Sequence, residues 1–147
     1  MNNKRKLYIL LLLAIIAVII TVIAIFNIDN NKKENHISVG FIMSGGIEDE
    51  GWNGMHYKGV KSACDEINVE LMLKENVEEF KGKCKKAVKE LVKENVNVII
   101  LSSYNYSEEM KDMVKEYPDI IFYCNSSDYS DENMTSYFVR YYQGRYL

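Results

Sequence analysis

Glu48, Asp49 and Glu50 stand directly before Gly51-Trp52-Asn53. Acids, an indole and an amide in one short stretch combine charge, a stacking surface and hydrogen bonding. Clustered carboxylates can do acid–base chemistry or hold a divalent cation. Little else in the chain supports either use. No nucleophile–base pair is evident, no phosphate loop of the G-x-x-x-x-G-K type occurs, and the loops expected beside this stretch carry no histidine. Acids at a helix start also have a structural role, because the helix dipole favours negative charge there. His36 and His56 are isolated and read as solvated or packed, and no C-x-x-C or Cys/His cluster suggests a metal. The expectation is a binding site without catalysis, metal or cofactor, in which Trp52 and Asn53 are contact residues.

A strand, a turn and a helix must position that pair. Val39 to Met43 is a short apolar run, Ser44-Gly45-Gly46 turns the chain, and a helix runs from Trp52 to Ile67. Its apolar stripe is Trp52, Met55, Gly59, Val60, Ala63 and Ile67, with Gly59 permitting close approach to a sheet. Val69–Leu73 is the second strand. Phe80–Glu94 is the second helix, with Phe80, Cys84, Ala87, Val88 and Leu91 inward and its lysines on a solvated face. Val96–Leu101 is the third strand, apolar as a central parallel strand requires. Ser107 is the expected N-cap of the third helix, with Glu108 and Glu109 in its first turn and Met110, Met113, Val114 and Tyr117 buried. Ile120–Cys124 and Thr135–Val139 are the fourth and fifth strands, and Tyr141–Leu147 starts a further helix.

This alternation predicts an α/β fold, a doubly wound parallel sheet of order 2-1-3-4-5 with right-handed crossovers. Three polar loops then share one edge: Gly45–Asn53, Ser102–Tyr106 and Asn125–Asp128. Ligands of such sheets bind at that edge, which adds Tyr104 and Asn125 to the candidates. Cys64 and Cys84 fall on opposite faces of the sheet, so all three cysteines, Cys124 included, read as buried apolar residues.

The segments before the sheet are of another kind. Leu7–Phe26 is an uncharged apolar run of the roughly 20 residues that a membrane span needs. Lys4, Arg5 and Lys6 precede it, and Lys32 and Lys33 are offset by Asp29 and Glu34. The bias predicts an N-terminus inside and the rest outside. The run is longer than a secretory apolar core and lacks a small-x-small cleavage site, so it reads as an uncleaved signal anchor. The organisation expected is 1–6 cytoplasmic, 7–26 transmembrane, 27–37 a tether and 38–147 an extracytoplasmic domain. That domain carries 13 basic and 19 acidic side chains, a net of −6. Such a balance excludes the basic surface that nucleic acid requires.

Several stretches, in order, resemble one family. Gly46-Ile47-Glu48-Asp49-Glu50-Gly51-Trp52-Asn53 is similar to a loop of the kind G-x-I-D-D-x-S-F-N. Tyr57-Lys58-Gly59-Val60-Lys61-Ser62-Ala63 fits x-x-G-x-x-x-A. Phe122-Tyr123-Cys124-Asn125-Ser126 looks like a strand ending in aspartate and serine, and Gln143-Gly144-Arg145-Tyr146-Leu147 looks like E-G-S-Y-L. The chain from about Ser38 resembles the N-terminal lobe of the basic membrane protein family, solute-binding proteins of ABC transporters of the purine nucleoside receptor A type. The resemblance implies a periplasmic-binding-protein-like first lobe, a nucleoside-like ligand and ABC permease subunits as partners. It implies that Trp52 stacks on a nucleobase and that Asp49 and Asn53 hydrogen-bond the ligand, with Asn125 and Ser126 at the end of the fourth strand. Gly51 and Asn125 replace the family's serine and aspartate, so the solute expected is a nucleoside or a similar small molecule. The lobe is incomplete against a two-lobe family, which reads as a fragment. An alternative is the ligand-sensing extracellular domain of a membrane-anchored signalling receptor.

Overall fold

The structure, a computed structural model, describes residues 3–31, 37–138 and 140. They fall into two compact units, Met1–Asn35 and His36–Leu147. The first contains helix α1, Asn3–Asn31. Every residue from Leu11 to Ala24 is exposed, consistent with a helix apolar on all sides. Beyond that stretch the description is interrupted, and among the described residues no helix is long and apolar enough to cross a membrane.

The second unit contains β1 (Ser38–Ile42), α2 (Trp52–Glu66), β2 (Glu70–Lys74), α3 (Lys83–Lys93), β3 (Val98–Leu101), α4 (Tyr104–Met110), a 3-10 turn (Val114–Glu116), β4 (Ile121–Asn125) and β5 (Met134–Tyr137). The strand order is β2-β1-β3-β4-β5 and every pairing is parallel, as the strand–helix alternation predicts. Ile42 pairs with Leu101, and Leu101 with Cys124, so the C-terminal ends of the three central strands stand level. Buried Ile42, Ile99, Leu101, Phe122 and Cys124 pack with Cys84, Val88 and Leu91 of α3 and with Tyr106 and Met110 of α4. All three cysteines are free and buried.

Three elements differ from their sequence reading. In α2 the apolar stripe does not face the core. Only Gly54 and Cys64 are buried, Asn53, Tyr57 and Val60 are half-buried, and Trp52, Met55, Gly59, Ala63 and Ile67 are exposed. Gly59 has nothing within 4 Å of where a side chain would begin, so it makes no close approach to the sheet. The close approach is made by Gly54, not to the sheet but to the backbone of Ile47 and Asp49 in the loop before the helix.

The second difference is the start of α3. Cys84, Ala87, Val88 and Leu91 are its buried stripe, as expected, but Phe80 is 67% exposed. Phe80 has φ +62° and Gly82 has φ +67°. Two left-handed residues within three positions cannot extend a right-handed helix, so the helix begins at Lys83.

The third is α4. Its N-cap is Ser103, whose Oγ accepts from Asn105 N at 3.3 Å, rather than Ser107. Tyr104, Asn105 and Tyr106 therefore form the first helical turn instead of an open loop. Ser107 Oγ donates to the carbonyl of Tyr104 within the helix. Tyr106 is fully buried and its hydroxyl donates to the Val77 carbonyl at 2.6 Å, so it belongs to the core and not to the edge. Glu108 and Glu109 move into the second turn. Met110, Met113 and Val114 are buried as expected, but the segment tightens into the 3-10 turn instead of continuing as one helix. Of the last elements, β5 is Met134–Tyr137. Val139 and the expected helix Tyr141–Leu147 lie outside the described residues.

Candidate functional site

The loop between β1 and α2 is held by Asp49 and Asn53. One Asp49 carboxylate oxygen accepts from Gly51 N at 2.7 Å; the other accepts from Asn53 N at 2.9 Å and Asn53 Nδ2 at 3.1 Å. The carboxylate thus takes the N–H of the cap residue Gly51 and that of Asn53 in the first turn of α2, a role that Gly51, lacking a side chain, cannot fill. Asn53 Oδ1 accepts from Gly45 N at 3.2 Å and Ser44 Oγ at 3.4 Å. Ile47 N donates to Glu75 Oε1 at 2.8 Å, which ties the loop to the end of β2. Gly54 completes the fit: a Cβ there would lie 1.7 Å from the Asp49 carbonyl oxygen.

The hydrogen bonds from Asn53 N, then Gly51 N and then Asn53 Nδ2 hold the Asp49 carboxyl below its ordinary value of 3.8. A depressed folded value stabilises the protein above the unfolded value, and that contribution is lost as pH falls through the folded one. Asp49→Asn is expected to lower the urea midpoint near neutral pH, and the difference from wild type should shrink as pH falls below about 3.8. Urea curves across that range test this; a pH-independent difference would assign the loss to something other than the carboxylate.

Trp52 reaches from the start of α2 across to β3. Its Nε1 donates to the Ser102 carbonyl at 3.0 Å, and the residue remains 41% exposed. This bond spans the point where the chain leaves β1 toward one face and β3 toward the other, the topological switch of an open α/β sheet. Ser102 itself is fully buried, and its Oγ has no hydrogen-bond partner among the described residues.

His56, one turn along α2 from Trp52, stands edge-on to the indole with ring centroids 4.4 Å apart. Its Nε2 lies 3.1 Å from Asn125 Nδ2 at the end of β4. Asn125 is fully buried, and its Oδ1 accepts from Ser126 Oγ at 2.6 Å. Ser126, half-buried, has φ +58° and donates its backbone N–H to the Tyr137 carbonyl at 2.8 Å. Tyr104 Oη donates to Asp128 Oδ2 at 3.1 Å, linking α4 to the loop after β4; that bond raises the phenol's pKa.

The structure therefore links Trp52, Asn125 and Ser126 through His56, and places Asp49 and Asn53 in the adjoining loop. Tyr104 joins through Asp128. Glu48 and Glu50 are exposed, and among the described residues no group of three or more His, Cys, Asp or Glu is placed to hold a metal ion. The sequence reading missed His56 as a member of the edge. Its four-residue spacing from Trp52 on one helix was the available signal.

Polar groups thus gather on the C-terminal edge of a parallel sheet, around a fixed and partly open indole, at the place where open α/β sheets offer a crevice. The chain belongs to the family of PnrA-like ABC transporter substrate-binding proteins, which residues 36–147 match. A purine-binding protein of Brucella abortus (strain 2308) is 28% identical over 116 residues, 78% of this chain and 33% of that protein. Among solved structures, a transcriptional activator of the comK gene from Bacillus halodurans matches with 30% identity and a TM-score of 0.59, over 67% of this chain and 33% of that one. An ABC transporter solute-binding protein from Aeropyrum pernix K1 shares the fold at 19% identity and a TM-score of 0.60, over 69% of this chain and 28% of that one. The chain spans about one third of the length of the curated relative it matches.

Proposed function

We propose that this edge binds a nucleoside or a similar small solute, which an ABC permease then takes up. The observation that carries the reading is the Trp52 indole, locked by its Nε1 bond at the sheet's switch point while 41% exposed. A fixed aromatic face is a stacking surface for a base. Asp49, Asn53, Tyr104, Asn125 and Ser126 are the polar residues assigned to the site, Asp49 and Asn53 shaping its floor and Asn125 acting through its neighbours. The similarity to a purine-binding protein supports the ligand class. The edge is one wall of a cleft, and a second lobe closing by a hinge supplies the other. Ligand is bound and released without turnover.

Residues 7–26 are proposed as the transmembrane signal anchor, with 1–6 cytoplasmic, 27–37 a tether and 38–147 outside. The apolar length and the basic residues at the N-terminus support that orientation.

Trp52 is the sole tryptophan, so its emission reports the site. Adenosine added to the full chain in detergent micelles should quench it saturably, with a dissociation constant on the order of 1 mM for one wall. Unchanged emission with adenosine, guanosine, uridine and cytidine, in a chain whose circular dichroism shows it folded, would refute the reading.

A further inference from the structure

Both ends of the Asn125 amide are engaged, and each engagement dictates the polarity of the next. Oδ1 takes the Ser126 hydroxyl proton at 2.6 Å, which leaves Nδ2 facing His56 Nε2 at 3.1 Å. An amide nitrogen only donates, so in this orientation of the amide Nε2 accepts, and the neutral imidazole carries its proton on Nδ1. Nδ1 is buried with no hydrogen-bond partner among the described residues. The rings of Trp52 and Tyr137 each stand at 87° to the imidazole, at 4.4 and 6.3 Å, and define its plane.

Ser126 has then given its proton inward, and its oxygen lone pairs remain for whatever enters the edge. We infer that His56 is a specificity-determining residue: through Asn125 it fixes Ser126 Oγ as a hydrogen-bond acceptor, so that a ligand meets it with a hydroxyl or amino hydrogen. A proton on Nε2 reverses each step. Nε2–H would face Nδ2–H, the amide would turn over, Nδ2 would donate to Ser126 Oγ, and the serine proton would point outward to a carbonyl or ring nitrogen. Among the described residues, Trp52 on its own helix, Asn125 on β4 and Tyr137 on β5 face His56, and none of the three is charged near neutral pH. Burial lowers the pKa of His56, which favours the neutral ring.

The functional meaning rests on the edge being a ligand site, but the test requires no ligand, so the two readings fail separately. The chain has two histidines, and His36→Gln leaves one imidazole to observe. Long-range proton–nitrogen NMR of the full chain in detergent micelles should show a neutral Nδ1–H ring near neutral pH. The Asn125 carboxamide signals should shift with the same midpoint as the ring on acidification. In Asn125→Asp the facing oxygen accepts, so the proton should move to Nε2 and the midpoint should rise. An Nε2–H ring in the His36→Gln chain, or Asn125 signals indifferent to the ring's titration, would overturn the inference.

Discussion

Gly54→Ala is expected to destabilise the second unit by about 3 kcal/mol or more, the upper end of overpacking costs. The added Cβ would sit 1.7 Å from the Asp49 carbonyl oxygen, 2.9 Å from its carbon and 3.0 Å from the Ile47 carbonyl oxygen. All three are backbone atoms, so no rotamer change relieves the clash. Either α2 shifts off the sheet or the β1–α2 loop opens. Opening the loop also breaks the Asp49 bonds to Gly51 and Asn53, and with them the Asn53 bond to Gly45. Urea unfolding of the variant measures the stability loss. A second substitution, Gly59→Ala, is the control: nothing lies within 4 Å of its Cβ, and alanine favours an exposed helix by about 1 kcal/mol. Equal effects at the two glycines would show that the close approach at Gly54 is not what places α2.

Trp52→Ala carries the largest expected effect on binding. Stacking of a base on an aromatic side chain is worth about 1–3 kcal/mol, so affinity for adenosine should fall roughly 10–100-fold. Stability should change much less, because the residue is 41% exposed and its Nε1 bond to Ser102 contributes about 1 kcal/mol. Trp52→Phe separates the two roles by keeping a stacking face and losing the Nε1 donor. Calorimetric titration with adenosine should rank wild type above phenylalanine and phenylalanine above alanine. Alanine binding as well as wild type would leave Trp52 as packing alone.

The sheet was legible because its determinants are local. Apolar runs, glycine turns and lysine-faced helices alternate, and right-handed crossovers leave few orders for five parallel strands. Trp52 and Asn53 were legible as a pair for the same reason, since they follow a strand and a glycine turn directly. Other features depended on distant atoms. Gly54 packs against the Asp49 carbonyl, a contact that hydrophobic spacing does not encode, and the apolar stripe of α2 points outward. Phe80 fits a helical pattern until the left-handed Gly82 is seen beside it. Ser103 and Ser107 are both plausible caps, and the burial of Tyr106 decides between them. His56 has its polar partner, Asn125, 69 residues away, beyond the reach of a periodicity argument. Asn125 was expected at this edge from its place at the end of the fourth strand, and its bonds to His56 and Ser126 depend on side chains that the strand pattern does not specify.

We propose that a small solute of the nucleoside class binds at the edge formed by the ends of β1, β3 and β4. Amide chemical-shift mapping of the labelled full chain with adenosine tests it most directly. Shifts should be confined to Gly45–Asn53, Ser102–Tyr104 and Asn125–Asp128, and be lost in Trp52→Ala. Shifts centred on the groove between Lys74 and α3, lined by Glu75, Lys83 and Glu90, or no shifts at saturating adenosine, would contradict it.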